Sequence, residues 1–261
     1  MLQQIRIFLT AVQFFTRIPV PDWVGHSAQQ LDQSARYFPL VGMVVGGLAA
    51  LVFWLAAFAL PLTLAVALSM LASILITGAF HEDGLSDFVD GMGGGYTREK
   101  ILAIMKDSHV GAYGVIAIVL VLLVKFQALL ALSSGHSLTV MMAAMVAAHA
   151  ISRLMAVSIM LTQKYARDDD SARAKPAAQN LSKGSFAIAL LTGAAAIAVL
   201  LMAGCSLISV LTAFASALLL RGYLGWQMQK KLGGYTGDCL GAVQQISEIG
   251  FYLGLLVTLK L

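Results

Sequence analysis

Long apolar runs separated by short polar connections set the pattern of this chain, and their length decides the solvent. Seven runs stand out, over residues 39–60, 62–80, 112–132, 138–161, 185–203, 206–224 and 240–261. Crossing a bilayer as a helix takes about 20 apolar residues. The runs are continuous rather than alternating and rich in Leu, Ala and Met, so the pattern predicts helices instead of barrel strands. The first two runs meet tightly at Pro61, and the fifth and sixth near Gly204. Upstream of them, Ile5, Phe8, Leu9, Val12 and Phe15 recur at helical spacing, with Arg6, Thr10, Gln13 and Arg17 on the other side. That predicts an amphipathic helix lying in the membrane interface. No small-residue cleavage site follows it, and the chain continues into the turn-forming Thr16-Arg17-Ile18-Pro19-Val20-Pro21, so the segment is expected to be retained. The fold expected is all-α: one polytopic helical bundle over residues 1–261, with about seven transmembrane helices plus the N-terminal interfacial helix and no internal repeat.

Composition strengthens this reading. Of 261 residues, 59% are hydrophobic and 11% charged, with a mean hydropathy of +0.84. A soluble domain carries roughly 25% charged residues. The formal charge of +4 would otherwise suggest nucleic acid, but here it follows the loops. Arg6, Arg17 and Arg36 precede the first run; Arg98, Lys100 and Lys106 follow the second; Lys164, Arg167, Arg173, Lys175 and Lys183 follow the fourth; Arg221, Lys230 and Lys231 flank the sixth. The connections at Pro61, 133–137 and Gly204 hold no Lys or Arg. This alternation places the N-terminus and the long loops in the cytoplasm and leaves Lys260 outside. Cys205 and Cys239 show no metal-ligand spacing and read as small apolar residues.

Chemistry concentrates in two places. The first is His81-Glu82-Asp83-Gly84-Leu85-Ser86-Asp87-Phe88-Val89-Asp90-Gly91, with four of the chain's 13 acids. Asp83, Asp87 and Asp90 stand at i, i+4 and i+7, one stripe of a helix. Like charges at that spacing repel, and a divalent cation such as Mg²⁺ relieves the repulsion by binding carboxylate oxygens. The bland alternative is a solvated acidic helix end. His81 falls on the opposite side of a continuous helix, which makes it a poor metal ligand unless the helix breaks at Gly84. Gly91, Gly93, Gly94 and Gly95 follow and read either as amides cradling phosphate or as a hinge. Thr97 looks like the N-cap of a short helix running through Asp107. Lys106 suits phosphate as a point charge, although a lone surface lysine is more often merely solvated. His26, His136 and His149 have no partner of ligand type, so zinc is not expected.

The second place is Gly233-Gly234-Tyr235-Thr236-Gly237-Asp238, entering the last run. Asp238 lies at a helix start, where amides and the dipole favour an anion. Glu248, ten residues on, is an intramembrane acid, and Lys125 and Arg153 are intramembrane bases. Such residues mark function by default, or they pair with one another structurally, in either case facing the bundle interior.

These motifs resemble cobalamin synthase, also called the adenosylcobinamide-GDP ribazoletransferase family. The likeness rests on the acidic stretch 81–91, on Ile104-Met105-Lys106-Asp107-Ser108 and Gly111-Ala112-Tyr113-Gly114-Val115, and on Phe15-Thr16-Arg17-Ile18-Pro19 and Phe38-Pro39-Leu40-Val41-Gly42. Lys125, Arg153, Tyr165-Ala166-Arg167 and the segment from Gly233 to Glu248 extend it over nearly the whole chain. It implies a multi-pass enzyme of the bacterial inner membrane with its active site facing the cytoplasm. The reaction implied joins adenosylcobinamide-GDP to α-ribazole or its 5′-phosphate and releases GMP. Mg²⁺ is expected on Glu82, Asp83, Asp87 and Asp90. Glu82 departs from the family's pattern, where an apolar residue is common, and is the least secure of the four. Catalytic roles fall on Asp83, Asp87, Asp90, Asp238 and Lys106, with the proton acceptor open between Asp90 and Asp238. Ligand contacts fall on His81, Arg98, Asp107, His109, Thr236 and Glu248. Expected partners are the two small-molecule substrates and the lipid bilayer, with no nucleic acid; a homo-oligomer or an assembly with other cobalamin-pathway enzymes is left open. Two competitors remain. A phosphatidyltransferase would space its aspartates differently and would need an Arg absent here. A transporter would use Glu248, Lys125 and Arg153 as a coupling path, but no repeat supports it.

Overall fold

The computed structural model describes residues 2–25, 27–135, 137–166 and 181–258. His26 and His136, and Arg167, Arg173, Lys175 and Lys260 of the charge pattern, lie outside the described residues. Among the described residues there are eleven α-helices and no strand: α1 Leu2–Phe15, α2 Ala28–Ser34, α3 Phe38–Ala57, α4 Leu62–Thr77, α5 Phe80–Gly94, α6 Arg98–Ile104, α7 Ala112–Gly135, α8 Leu138–Thr162, α9 Lys183–Met202, α10 Leu207–Leu232 and α11 Gly237–Val257. Tyr165 and Tyr235 form one isolated parallel bridge.

Six helices or helix runs are long and apolar enough to cross a membrane, and α4 with α5 supplies a seventh if the bent pair counts as one span. The fold is thus the polytopic all-α membrane bundle the apolar runs predict. Burial sorts the helices: 89% of the apolar window of α8 is covered by protein, against 22% for α7. α8 and α11 form the centre, while α7, α9 and α10 turn large aliphatic surfaces outward, such as Leu120, Leu191 and Leu219. Helices in lipid gain no hydrophobic energy from pairing, so close backbone approach matters. A Cβ at Gly46 would stand 2.8 Å from the Met145 carbonyl of α8, and one at Gly254 would stand 2.5 Å from Ala213 Cα of α10. These glycines let α3 reach α8 and α11 reach α10.

The second expected span differs from its prediction. α4 has only 16 residues, or about 24 Å at 1.5 Å per residue, short of the hydrocarbon thickness. It stops at Gly78 (φ +64°) and Ala79 (φ +58°), and α5 leaves at 86° to it. A left-handed alanine is uncommon, and the bend is held from outside. The Arg17 amide donates to the Ile76 carbonyl at 2.7 Å, and the Arg17 guanidinium packs where a Gly78 side chain would lie. The acidic helix is therefore turned aside from the span that precedes it.

α1 exists as predicted, but its buried stripe is Ile7, Thr10, Ala11, Val12 and Phe15. Ile5 is exposed and Phe8 and Leu9 are half-buried, because this stripe packs on the bundle. The connections after α5, α8 and α10 gather at one end. Arg98 donates to the Leu232 and Ala166 carbonyls at 3.0 and 2.5 Å, and Lys231 to the Met92 carbonyl at 3.0 Å.

Candidate functional site

α5 and α11 touch along their backbones. A Cβ at Gly84 would lie 3.2 Å from Asp238 Cα, and one at Gly241 3.1 Å from the His81 carbonyl. A side chain at either position would push the helices apart by a few tenths of an ångström. The close approach sets Asp83 and Asp238 on the same cavity, a volume of about 320 Å³. Asp238 sits in the first turn of α11, whose N-cap Thr236 accepts from the Cys239 amide at 3.4 Å. Asp83 is exposed, and Asp87, one turn further along α5, is half-buried. α5 is unbroken through Gly84, yet His81 lines the same cavity as Asp83.

The remaining acids of the motif face elsewhere. Asp90 is buried and accepts from the Gly111 and Gly114 amides at 2.8 and 2.9 Å. It thereby caps α7 from another helix, placing a negative charge where the dipole favours one. A side chain at Gly111 or Gly114 would collide with the Asp90 carboxylate, which accounts for the Gly111-Ala112-Tyr113-Gly114 motif. Glu82 is buried and accepts from Gln245 at 2.9 Å. The glycines do not form a phosphate cradle. Gly91, Gly93 and Gly94 belong to α5, where the amides are used within the helix. Gly95, at its end, donates to the Gly91 carbonyl. What Gly91 and Gly95 permit is close packing of α6, since side chains there would strike Met105 and Ile101.

Thr97 does cap α6, accepting from the Lys100 amide at 3.3 Å, though α6 ends at Ile104 rather than reaching Asp107. Beyond it lie the exposed Lys106, Asp107 and His109. Asp107 and His109 pair at 2.6 Å. That hydrogen bond holds the Asp107 carboxyl below its usual range and raises His109. Arg98 serves as the clamp described above.

Inward from the cavity the charges pair. Lys125 of α7 meets Glu248 of α11 at 2.7 Å, and His149 lies 3.5 Å from the same oxygen. Gln244 donates to Glu248 at 2.8 Å and to Ser152 at 3.1 Å. Arg153 donates to the His149 carbonyl at 3.0 Å. Glu248 does not line the cavity; Arg153, His81 and Gln244 do. So do Phe14, Phe15, Phe38 and Phe80, of which the sequence pattern places only Phe15 on an apolar helix face. The only hint of them was the place of Phe15 and Phe38 in short motifs.

Two comparisons bear on what this arrangement is for. A model of the cobalamin-5-phosphate synthase family matches residues 7–256. The chain is also similar to proteins named adenosylcobinamide-GDP ribazoletransferase. That of Shewanella frigidimarina (strain NCIMB 400) is 44% identical over 255 residues, covering 98% of this chain and 95% of the relative. That of Leptothrix cholodnii (strain ATCC 51168 / LMG 8142 / SP-6) is 45% identical over 254 residues, covering 97% and 96%. No solved structure matches.

Proposed function

The chain belongs to the cobalamin-5-phosphate synthase family, and on that premise we propose that it catalyses the ribazole transfer for which its relatives are named. The substrates are adenosylcobinamide-GDP and α-ribazole or its 5′-phosphate; the products are adenosylcobalamin, or its 5′-phosphate, and GMP. A ribose hydroxyl attacks the phosphate attached to the corrinoid side chain. The new P–O ester forms as the pyrophosphate P–O bond breaks, and GMP leaves. The observation that carries this reading is the meeting of Asp83 and Asp238 on one cavity through the Gly84–Gly241 contact.

Phosphoryl transfer asks for positioning and charge neutralisation more than covalent help. Among the described residues no three His, Cys, Asp or Glu groups are arranged to hold an ion by themselves. Mg²⁺ is usually held by one or two carboxylates, with substrate phosphate and water completing its shell. Asp83 and Asp87 are hard donors on one face of α5, and they are the pair that would hold it. Asp90 and Glu82 are engaged with the Gly111 and Gly114 amides and with Gln245. Bound there, Mg²⁺ supplies neutralisation of the pyrophosphate charge. Asp238 lines the cavity beside Asp83, whereas Asp90 is turned to the Gly111 and Gly114 amides, so Asp238 is the better placed acceptor for the hydroxyl proton. The Lys- and Arg-bearing connections, gathered at one end by Arg98 and Lys231, support a site facing the cytoplasm of the bacterial inner membrane.

The test is GMP release by protein purified in detergent, given both substrates with Mg²⁺ or with EDTA. Release that needs Mg²⁺ and tracks cobamide formation supports the reading. A folded protein that releases no GMP under any metal overturns it, and activity without a membrane gradient excludes a carrier.

A further inference from the structure

The cavity has two unlike ends. Its rim holds Asp83 and Asp238, whereas its wall is built by Phe14, Phe15, Phe38 and Phe80. The rings lock one another: Phe15 meets Phe38 edge-on at 4.4 Å, Phe14 meets Phe80 at 5.3 Å, and His81 stacks on Phe15 at 5.3 Å. At the polar part of the lining, Arg153, His81 and Gln244 are 2%, 3% and 1% exposed. Among the described residues, Arg153 Nε, His81 Nε2 and Gln244 Oε1 find no hydrogen-bond partner. These three side chains give a mostly apolar lining the few polar groups that ligand pockets carry. At about 320 Å³ the cavity lies at the small end of ligand pockets, which run from roughly 300 to 1,000 Å³. A corrinoid macrocycle does not fit in it.

We propose that this cavity binds the planar benzimidazole base of the ribazole substrate, stacked among the phenylalanines, with its ribose emerging at Asp83 and Asp238. The assignment rests on the ribazole-transfer reading above. A benzimidazole riboside offers two apolar faces, an apolar outer edge and one unsubstituted ring nitrogen, which accepts only. The Arg153 guanidinium of the lining carries donors only and matches that nitrogen. Guanine and the adenine of the adenosyl ligand, the other planar bases in the reaction, carry several donors and acceptors on their edges. The phenylalanine walls meet none of these, and the three polar side chains of the lining would meet only part of them.

Steady-state kinetics of Phe15→Leu separates the two substrates. Loss of the ring should raise KM for α-ribazole about tenfold and leave KM for adenosylcobinamide-GDP unchanged. Phe80→Leu, at an exposed position, gives the same reading should Phe15→Leu fail to fold. A rise in KM for adenosylcobinamide-GDP alone places one of that substrate's purines in the cavity and overturns the proposal, as does no change in either constant. If the wild type transfers nothing, the reaction assigned above fails by itself. Calorimetric binding of α-ribazole to wild type, weakened in the Phe variants, would then still support the cavity, and absence of binding to wild type would overturn it.

Discussion

Asp83 and Glu248 are carboxylates of the same bundle, on helices α5 and α11 that touch. Their surroundings differ in every respect that sets what a carboxylate does. Asp83 is exposed at the rim of a cavity. Glu248 is fully buried and held by Lys125, His149 and Gln244. A charge taken out of water and matched by a partner fixes how helices pack, because removing either partner leaves the other stranded. An acid that still meets water keeps its oxygens available for a cation or a proton. Within α5 the same division recurs, with Asp83 exposed and Glu82 and Asp90 engaged by neighbouring helices.

Four single substitutions and one paired replacement test this contrast, in order of decreasing effect. Asp238→Asn should lower kcat about 10²–10⁴-fold, the contribution of a positioned general base, with the unfolding temperature unchanged. Lys125→Ala strands Glu248 and should destabilise the fold by about 3–5 kcal/mol, measured by chemical unfolding in detergent. Replacing the pair together, Lys125→Met with Glu248→Leu, should recover most of that loss. Asp90→Ala removes a charged acceptor from two amides and should cost about 1.5–3 kcal/mol, seen as earlier thermal unfolding. Asp107→Asn should be nearly silent. It should lower the His109 pKa in an NMR titration, since the Asp107 hydrogen bond is what raises it. The raised pKa means that this contact favours the fold below the ordinary histidine pKa and fades as pH climbs through the raised value. With both side chains exposed, stability should not move measurably.

The bundle was legible because apolar run length is a local property. Runs 112–132 and 138–161 sit within α7 and α8 almost residue for residue. The break at Gly78–Ala79 was not legible: Gly78 is one small residue in an apolar run, and the bend is secured by Arg17, distant in sequence. Spacing put Asp83, Asp87 and Asp90 on one stripe, and α5 does carry them. It could not reveal that Asp90 turns to Gly111 and Gly114, since those amides come from another helix. The glycines after Asp90 misled for a related reason, being equally suited to a loop around phosphate and to a helix pressed against α6. Glu248 with Lys125 was legible as a pairing because both are conspicuous in apolar runs. The phenylalanine wall was not, since a phenylalanine lining a cavity and one filling a core look alike in sequence.

The division between acids that act and acids that hold is tested most directly by measuring turnover and thermal unfolding for Asp83→Asn and Glu248→Gln in parallel preparations. The account predicts that Asp83→Asn unfolds with the wild type yet loses turnover, while Glu248→Gln unfolds at a lower temperature. An Asp83→Asn protein that releases GMP at the wild-type rate would contradict it.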